Sequence, residues 1–223
     1  MTWATALLLA GTFFLFPANL RALFLCVAAL ATVLAYTRTL EFSLGLHASI
    51  YLAAATAVSS LPMYAANALA GTVPARADWS VWIVAVSAAL CYAMLSRCPK
   101  HQWSRRLACV VPVVLVGFAA AALVVGAIVR LADGRMELNA PRLAVIRTVV
   151  NCSLALALGF LGSRWKRAEL GWVAYAAVAF GTLKLLFEDL RFGNAASLVV
   201  SFLFYGMILI LLPRFTRRGQ TQS

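Results

Sequence analysis

The sequence predicts an all-α, polytopic transmembrane helical bundle of about eight spans, forming a single integral membrane domain over residues 1–223. Three observations lead there. Hydrophobic residues make up 64% of the chain and charged residues 12%, with a mean hydropathy of +0.91, a balance that leaves too little polar surface for a soluble domain. The apolar residues fall into runs approaching the ~20 that a helix needs to cross hydrocarbon. Those runs do not alternate in polarity as barrel strands do. Backbone groups in lipid must be satisfied within their own segment, so the runs are expected to be helices.

The formal charge is +12, from 19 Lys and Arg against 7 Asp and Glu. The cations are scattered among loops, as the positive-inside rule expects of a membrane protein. They do not accompany a nucleic-acid-binding motif, so nucleic acid is not expected as a partner. Of the five cysteines, Cys26, Cys91, Cys109 and Cys152 fall inside expected spans and Cys98 lies outside them. None has Cys-x-x-Cys spacing, so they read as packing residues and not as a metal or disulfide framework.

Taken in order, Trp3–Phe16 is a short apolar run ended by Pro17-Ala-Asn-Leu-Arg21. No positive charge precedes its core and no small-x-small site follows, so it is expected to be a retained span, not a cleaved signal. Leu23–Tyr36 is the second span, closing a tight hairpin around Asn19 and Arg21. Both are short for a full crossing, which tilt or local thinning accommodates. Leu44–Leu69 is the third, with Pro62 ending or kinking its helix. Trp79–Ser96 is the fourth, with Trp79 and Trp82 as interfacial anchors. Leu107–Val129 and Leu143–Leu161 are the fifth and sixth. Leu170–Phe187 and Ala195–Leu212, the seventh and eighth, flank the polar knot Lys184-Leu-Leu-Phe-Glu188-Asp189-Leu-Arg191.

Eight spans put both termini on one side. That side would hold Arg38, Arg97, Lys100, Arg105, Arg106, Arg164, Lys166, Arg167, Arg214, Arg217 and Arg218, against seven basic residues opposite. The bias points to both termini lying in the cytoplasm.

Ionisable residues inside a span are where chemistry is sought first. Lys184 lies near the expected outer end of span seven, four residues before Glu188, above Gly181 and Ala177 on a small-residue stripe that suits close helix approach. Ion pairing and anchoring are its expected role, a substrate or proton site the alternative. Asn194, Ser197, Ser201 and Tyr205 form one polar stripe down span eight, expected to join helices or, alternatively, to line a pathway. Arg147 and Asn151 make a polar face on span six, with Arg147 expected to pair with Glu188 or Asp189 or, alternatively, to recognise an anionic headgroup. Asp189 and Arg191 complete the knot. Ser43, His47 and Tyr51, four residues apart on span three, give a weaker candidate in which His47 could act as a base. Adjacent carboxylates such as Glu188 and Asp189 project about 100° apart on a helix, which poorly suits one shared acid–base or metal site. No nucleotide-binding, zinc-protease or serine-hydrolase motif is present. No catalytic residue, cofactor or metal is therefore assigned.

Across Arg147-Thr-Val-Val, Glu169-Leu-Gly-Trp-Val-Ala-Tyr, Lys184 to Arg191, Ser201-Phe-Leu-Phe-Tyr205-Gly and Leu212-Pro-Arg214, the chain resembles the C-terminal region of large bacterial families of multi-spanning predicted membrane proteins of unknown function. The resemblance covers roughly Arg142–Arg214. It implies an inner-membrane bundle and transfers no activity. The expected function is structural or accessory. An Arg-rich cytoplasmic face would meet anionic lipid headgroups, with a membrane-protein partner or a second copy as further contacts. A small transporter or channel for an anionic or polar solute is the alternative. A membrane-embedded lipid-modifying enzyme using His47 is the third reading.

Overall fold

The computed structural model describes residues 2–70, 77–98, 103–132, 140–185 and 195–220. All secondary structure among them is helical: α1 Thr2–Leu15, α2 Ala18–Thr39, α3 Phe42–Val58, α4 Leu61–Ala70, α5 Trp79–Ser96, α6 Trp103–Ala132, α7 Ala140–Arg164, α8 Ala168–Lys184 and α9 Ala195–Gln220. Four contain a stretch long and apolar enough to cross a membrane: Leu20–Thr39, Trp79–Ser96, Ala108–Leu131 and Arg142–Arg164. Phe42–Val58 and Leu61–Leu69 make a fifth if the two, bent by 68°, count as one broken span. The chain is a multi-span helical membrane protein.

The expected eight spans are thus corrected to four or five among the described residues. The reason is length. With 14 residues, α1 reaches about 21 Å at ~1.5 Å per residue, short of a ~30 Å hydrocarbon core. For α8 and α9 the count rests on 17 described residues each, Ala168–Lys184 and Leu198–Arg214, although the whole of α9 runs 26 residues, Ala195–Gln220. Both termini on one side followed from an even count, and that inference goes with it.

The chain divides into two compact units, Met1–Ala65 with Arg76–Ala119, and Ala66–Ala75 with Ala120–Ser223. In the first, α2 packs against α3 and α5. Its buried stripe is Leu25, Ala29, Val33 and Tyr36, recurring every three or four residues as one helix face requires. Leu23, Val27 and Leu34 lie exposed on other faces, as expected of a helix wet by lipid chains and not by water. The α1–α2 corner forms around Arg21, which donates from Nε to the Phe16 carbonyl at 2.9 Å. Its guanidinium also lies 5.3 Å from the Phe13 ring centroid, a cation–π distance. Trp79 and Trp82 at the start of α5 are both exposed.

Pro62 does not kink a continuous helix. It sits at the second residue of α4, where its missing N–H costs nothing. The break falls one step earlier. Ser59 ends α3 in extended backbone, and its hydroxyl accepts the Leu61 N–H at 3.3 Å. The Ser60 and Ser80 hydroxyls bond at 2.9 Å. With the Ser60 N–H donating to the Ser80 Oγ at 3.5 Å, three serine contacts thus satisfy groups that a bend in lipid would leave bare.

In the second unit α7 is the central helix, packing on α8 and α9. One flank, through Cys152 and Ala155, joins Ala174, Val178, Tyr205, Ile208 and Leu212. Another, through Leu143 and Val150, joins Leu69, Ala121, Val125 and Val129. Small residues set the register. A Cβ on Gly159 would collide with Leu212 and touch Ala174, while one on Gly162 would meet Leu170 Cβ at 3.1 Å and the Gly171 backbone nitrogen at 3.2 Å. Residue number therefore rises together along α7 and α9 and falls along α8: α7 and α9 run parallel, with α8 antiparallel to both.

The α7–α8 turn is a Schellman motif. The Arg167 N–H bonds the Gly162 carbonyl at 2.8 Å and the Lys166 N–H bonds the Ser163 carbonyl at 3.3 Å. Lys166 occupies the left-handed position, φ 53°, that glycine usually fills. Lys166→Gly is expected to raise stability by about 0.5–1 kcal/mol by removing the Cβ penalty there. A detergent-solubilised thermal melt checks this.

Candidate functional site

Three helices of the second unit bring polar side chains together. From α7, Asn151 donates through Nδ2 to the Ala177 carbonyl of α8 at 3.1 Å. One turn along α8, Gly181 is the floor on which Asn151 and Tyr205 of α9 meet. A Cβ added there would fall onto both the Tyr205 hydroxyl and the Asn151 amide. Tyr205 and Asn151 are buried, as are Ser201, one turn from Tyr205 on α9, and Thr148 on α7. Lys184 follows Gly181 in the last turn of α8 and is half-buried.

The local sequence explains this convergence. Gly181 and Ala177 carry almost no side chain, so α7 and α9 can bring their polar groups to the α8 backbone. On α9 the buried residues Ser201, Tyr205, Ile208 and Leu212 step by four, three and four. The exposed Val199, Phe202, Leu203, Leu209 and Ile210 lie on other faces. The helix is apolar nearly all round, and the polar pair marks its inner side.

Arg147 lies one turn before Asn151 and is only 3% exposed. Its Nε donates to the Ala68 carbonyl at 2.8 Å, and Nη2 to the Asn67 carbonyl at 3.3 Å. These carbonyls belong to the last turn of α4, the negative pole of that helix, where a cation is favoured. Arg147 was expected to pair with Glu188 or Asp189. Those two residues, with Arg191 and Asn194, lie outside the described residues, as does the side chain of Ser197. Arg147's described role is to close the end of a short helix.

A further charged contact escaped the sequence reading. Glu169 is 1% exposed, in the first turn of α8. Its Oε1 lies 3.6 Å from Nη1 of Arg167, the residue at the helix's N-cap. An acid is favoured at a helix N-terminus. The one available signal was its place two residues after Arg167. His47, the weaker candidate, is half-buried on α3 in the first unit, and Tyr51 one turn on is buried. Buried Ser49 on the same helix bonds the Gly45 carbonyl at 3.2 Å and the Ala108 carbonyl of α6 at 3.4 Å.

All five cysteines are free, four of them buried. Among the described residues no three His, Cys, Asp or Glu side chains are grouped so as to hold a metal ion. The fold and the site together define a multi-span membrane protein whose second unit is tied by interhelical polar contacts. No family model, curated protein or solved structure matches the chain.

Proposed function

We propose that this is a structural or accessory protein of a bacterial inner membrane, acting without a catalytic centre of its own. The supporting observation is the absence of room for a single methyl group at Gly181, between Tyr205 and Asn151. A solute pathway needs polar groups that meet water. Here Asn151 is committed to an α8 carbonyl, and Tyr205 is buried against the α8 backbone. Polar residues used in this way join helices, each contact contributing on the order of 0.6–2 kcal/mol. The resemblance of Arg142–Arg214 to bacterial multi-spanning proteins suits this assignment. The register of α7–α9 favours an orientation in which the end carrying Arg164, Lys166 and Arg214 faces the cytoplasm.

A small transporter is the second reading, favoured by the broken α3–α4 pair, because half-helix ends are where transporters bind ions. Arg147 closes the opposite end of α4, at Asn67 and Ala68, and the break itself is filled by the Ser60–Ser80 hydroxyl bond.

Cys152 offers the test, being buried on α7 next to Asn151. In a variant keeping Cys152 as its only thiol, a water-soluble maleimide applied to folded protein in membranes is expected to leave it unmodified. A variant keeping only Cys98, which is partly exposed, should react. Modification of Cys152 at a rate like that of Cys98 would replace the structural reading with the transporter.

A further inference from the structure

We propose that the end of the second unit formed by the α7–α8 turn and the close of α9 binds the headgroup of an anionic phospholipid. This rests on the membrane-embedded reading above and names the surface through which the protein meets its bilayer. Residues far apart in the chain arrive there together. Gly159 is level with Leu212, and Gly162 with Leu170 and Gly171. Arg164 and Arg214 therefore both extend beyond the same layer, their positions differing along the bundle by about one helical turn. Lys166 stands in the turn between α7 and α8. Arg164, Lys166 and Arg214 are all exposed.

Glu169 is buried and held by Arg167, so the charges presented outward here by described side chains are all positive. The Schellman turn fixes the Lys166 backbone, which lowers the ordering cost of a bound headgroup.

A second, independent feature sets the depth. Trp165 and Trp172 are 51% and 43% exposed. Trp165 lies in the turn itself, while Trp172 lies on α8 between the levels of Gly162 and Gly159. Indole side chains favour the headgroup boundary. Trp165 and Trp172 would therefore hold this end where lipid phosphates lie, with Arg164, Lys166 and Arg214 around them. A guanidinium grips a phosphate oxygen pair through two parallel donors and an ammonium adds a point charge. The ligand class is thus a phospholipid with net negative charge, not a zwitterionic one.

The test measures thermal unfolding of the full chain in neutral detergent while phosphatidylglycerol, phosphatidylcholine or inorganic phosphate is added. Phosphatidylglycerol is expected to raise the unfolding temperature in a saturable way, the other two much less. Lys166→Gly keeps the turn and removes one charge, so it should melt no lower than wild type yet bind phosphatidylglycerol about fivefold more weakly, the effect of ~1 kcal/mol per charge. The triple change Arg164→Gln, Lys166→Gly, Arg214→Gln should abolish the preference for the anionic lipid. Equal shifts with both lipids, an unchanged preference in the triple variant, or a full shift from inorganic phosphate alone would overturn the proposal. None of these results bears on the Cys152 labelling, so the two readings fail separately.

Discussion

Gly181→Leu is expected to leave little folded protein in the membrane. The new side chain must occupy the volume now taken by the Tyr205 hydroxyl and the Asn151 amide. Neither group is the far end of a long flexible chain that can swing aside. Forcing extra methylenes into such a contact costs about 1–3 kcal/mol, and the Asn151 bond to Ala177 adds about 1 kcal/mol when lost. Against a net stability of roughly 5–15 kcal/mol, a loss of about 2–4 kcal/mol should lower the melting temperature sharply and reduce abundance. Gly206 is the control, since a Cβ there meets nothing within 4 Å. Gly206→Ala should be neutral or slightly stabilising, because glycine costs a helix interior about 0.5–1 kcal/mol relative to alanine. If the two glycines responded alike in abundance and thermal melts, the three-helix junction would not be the anchor of the second unit.

Arg147→Met is expected to have the next largest effect. It keeps much of the length of the side chain but removes both donors to the last turn of α4. Hydrogen bonds from a charged donor contribute about 1.5–3 kcal/mol each, and the carbonyls left behind would sit in an apolar setting. Relief from burying a guanidinium offsets part of this, so a net loss of about 2–4 kcal/mol is expected. Arg147→Lys should recover part of it, retaining the charge but not the two-donor fork. Melting temperatures of the three proteins in one detergent give the order wild type, Lys, Met. A Met variant as stable as wild type would mean that the α4 end needs no cation.

The sequence made the class of the fold plain, because apolar composition and helical runs are properties of every segment by itself. It made the inner face of α9 visible as well: a three-to-four spacing put Ser201 and Tyr205 on one side, and that is the side α9 buries. The number of crossings was harder to read. A hydropathy run does not reveal where a helix stops: within Leu44–Leu69 the end or kink expected at Pro62 falls instead at Ser59 and Ser60. Arg147 shows a different limit. Its described partners are backbone carbonyls of α4, which leave no trace in residue identity, while the carboxylates expected beside it, Glu188 and Asp189, lie outside the described residues. Glu169 was similarly hidden, since an acid in the first turn of a helix looks solvated until the neighbouring chain is seen to cover it.

The bond between Arg147 and α4 also constrains how the protein is made. Ala68 precedes Arg147 by 79 residues, which a ribosome adding ~5–20 residues per second covers in roughly 4–16 s. Throughout that interval the carbonyls at the close of α4 lack the guanidinium that will later cover them. The short helix is expected to wait beside water or the insertion machinery until α7 has emerged, so a chain truncated before α7 should leave α4 at the membrane surface.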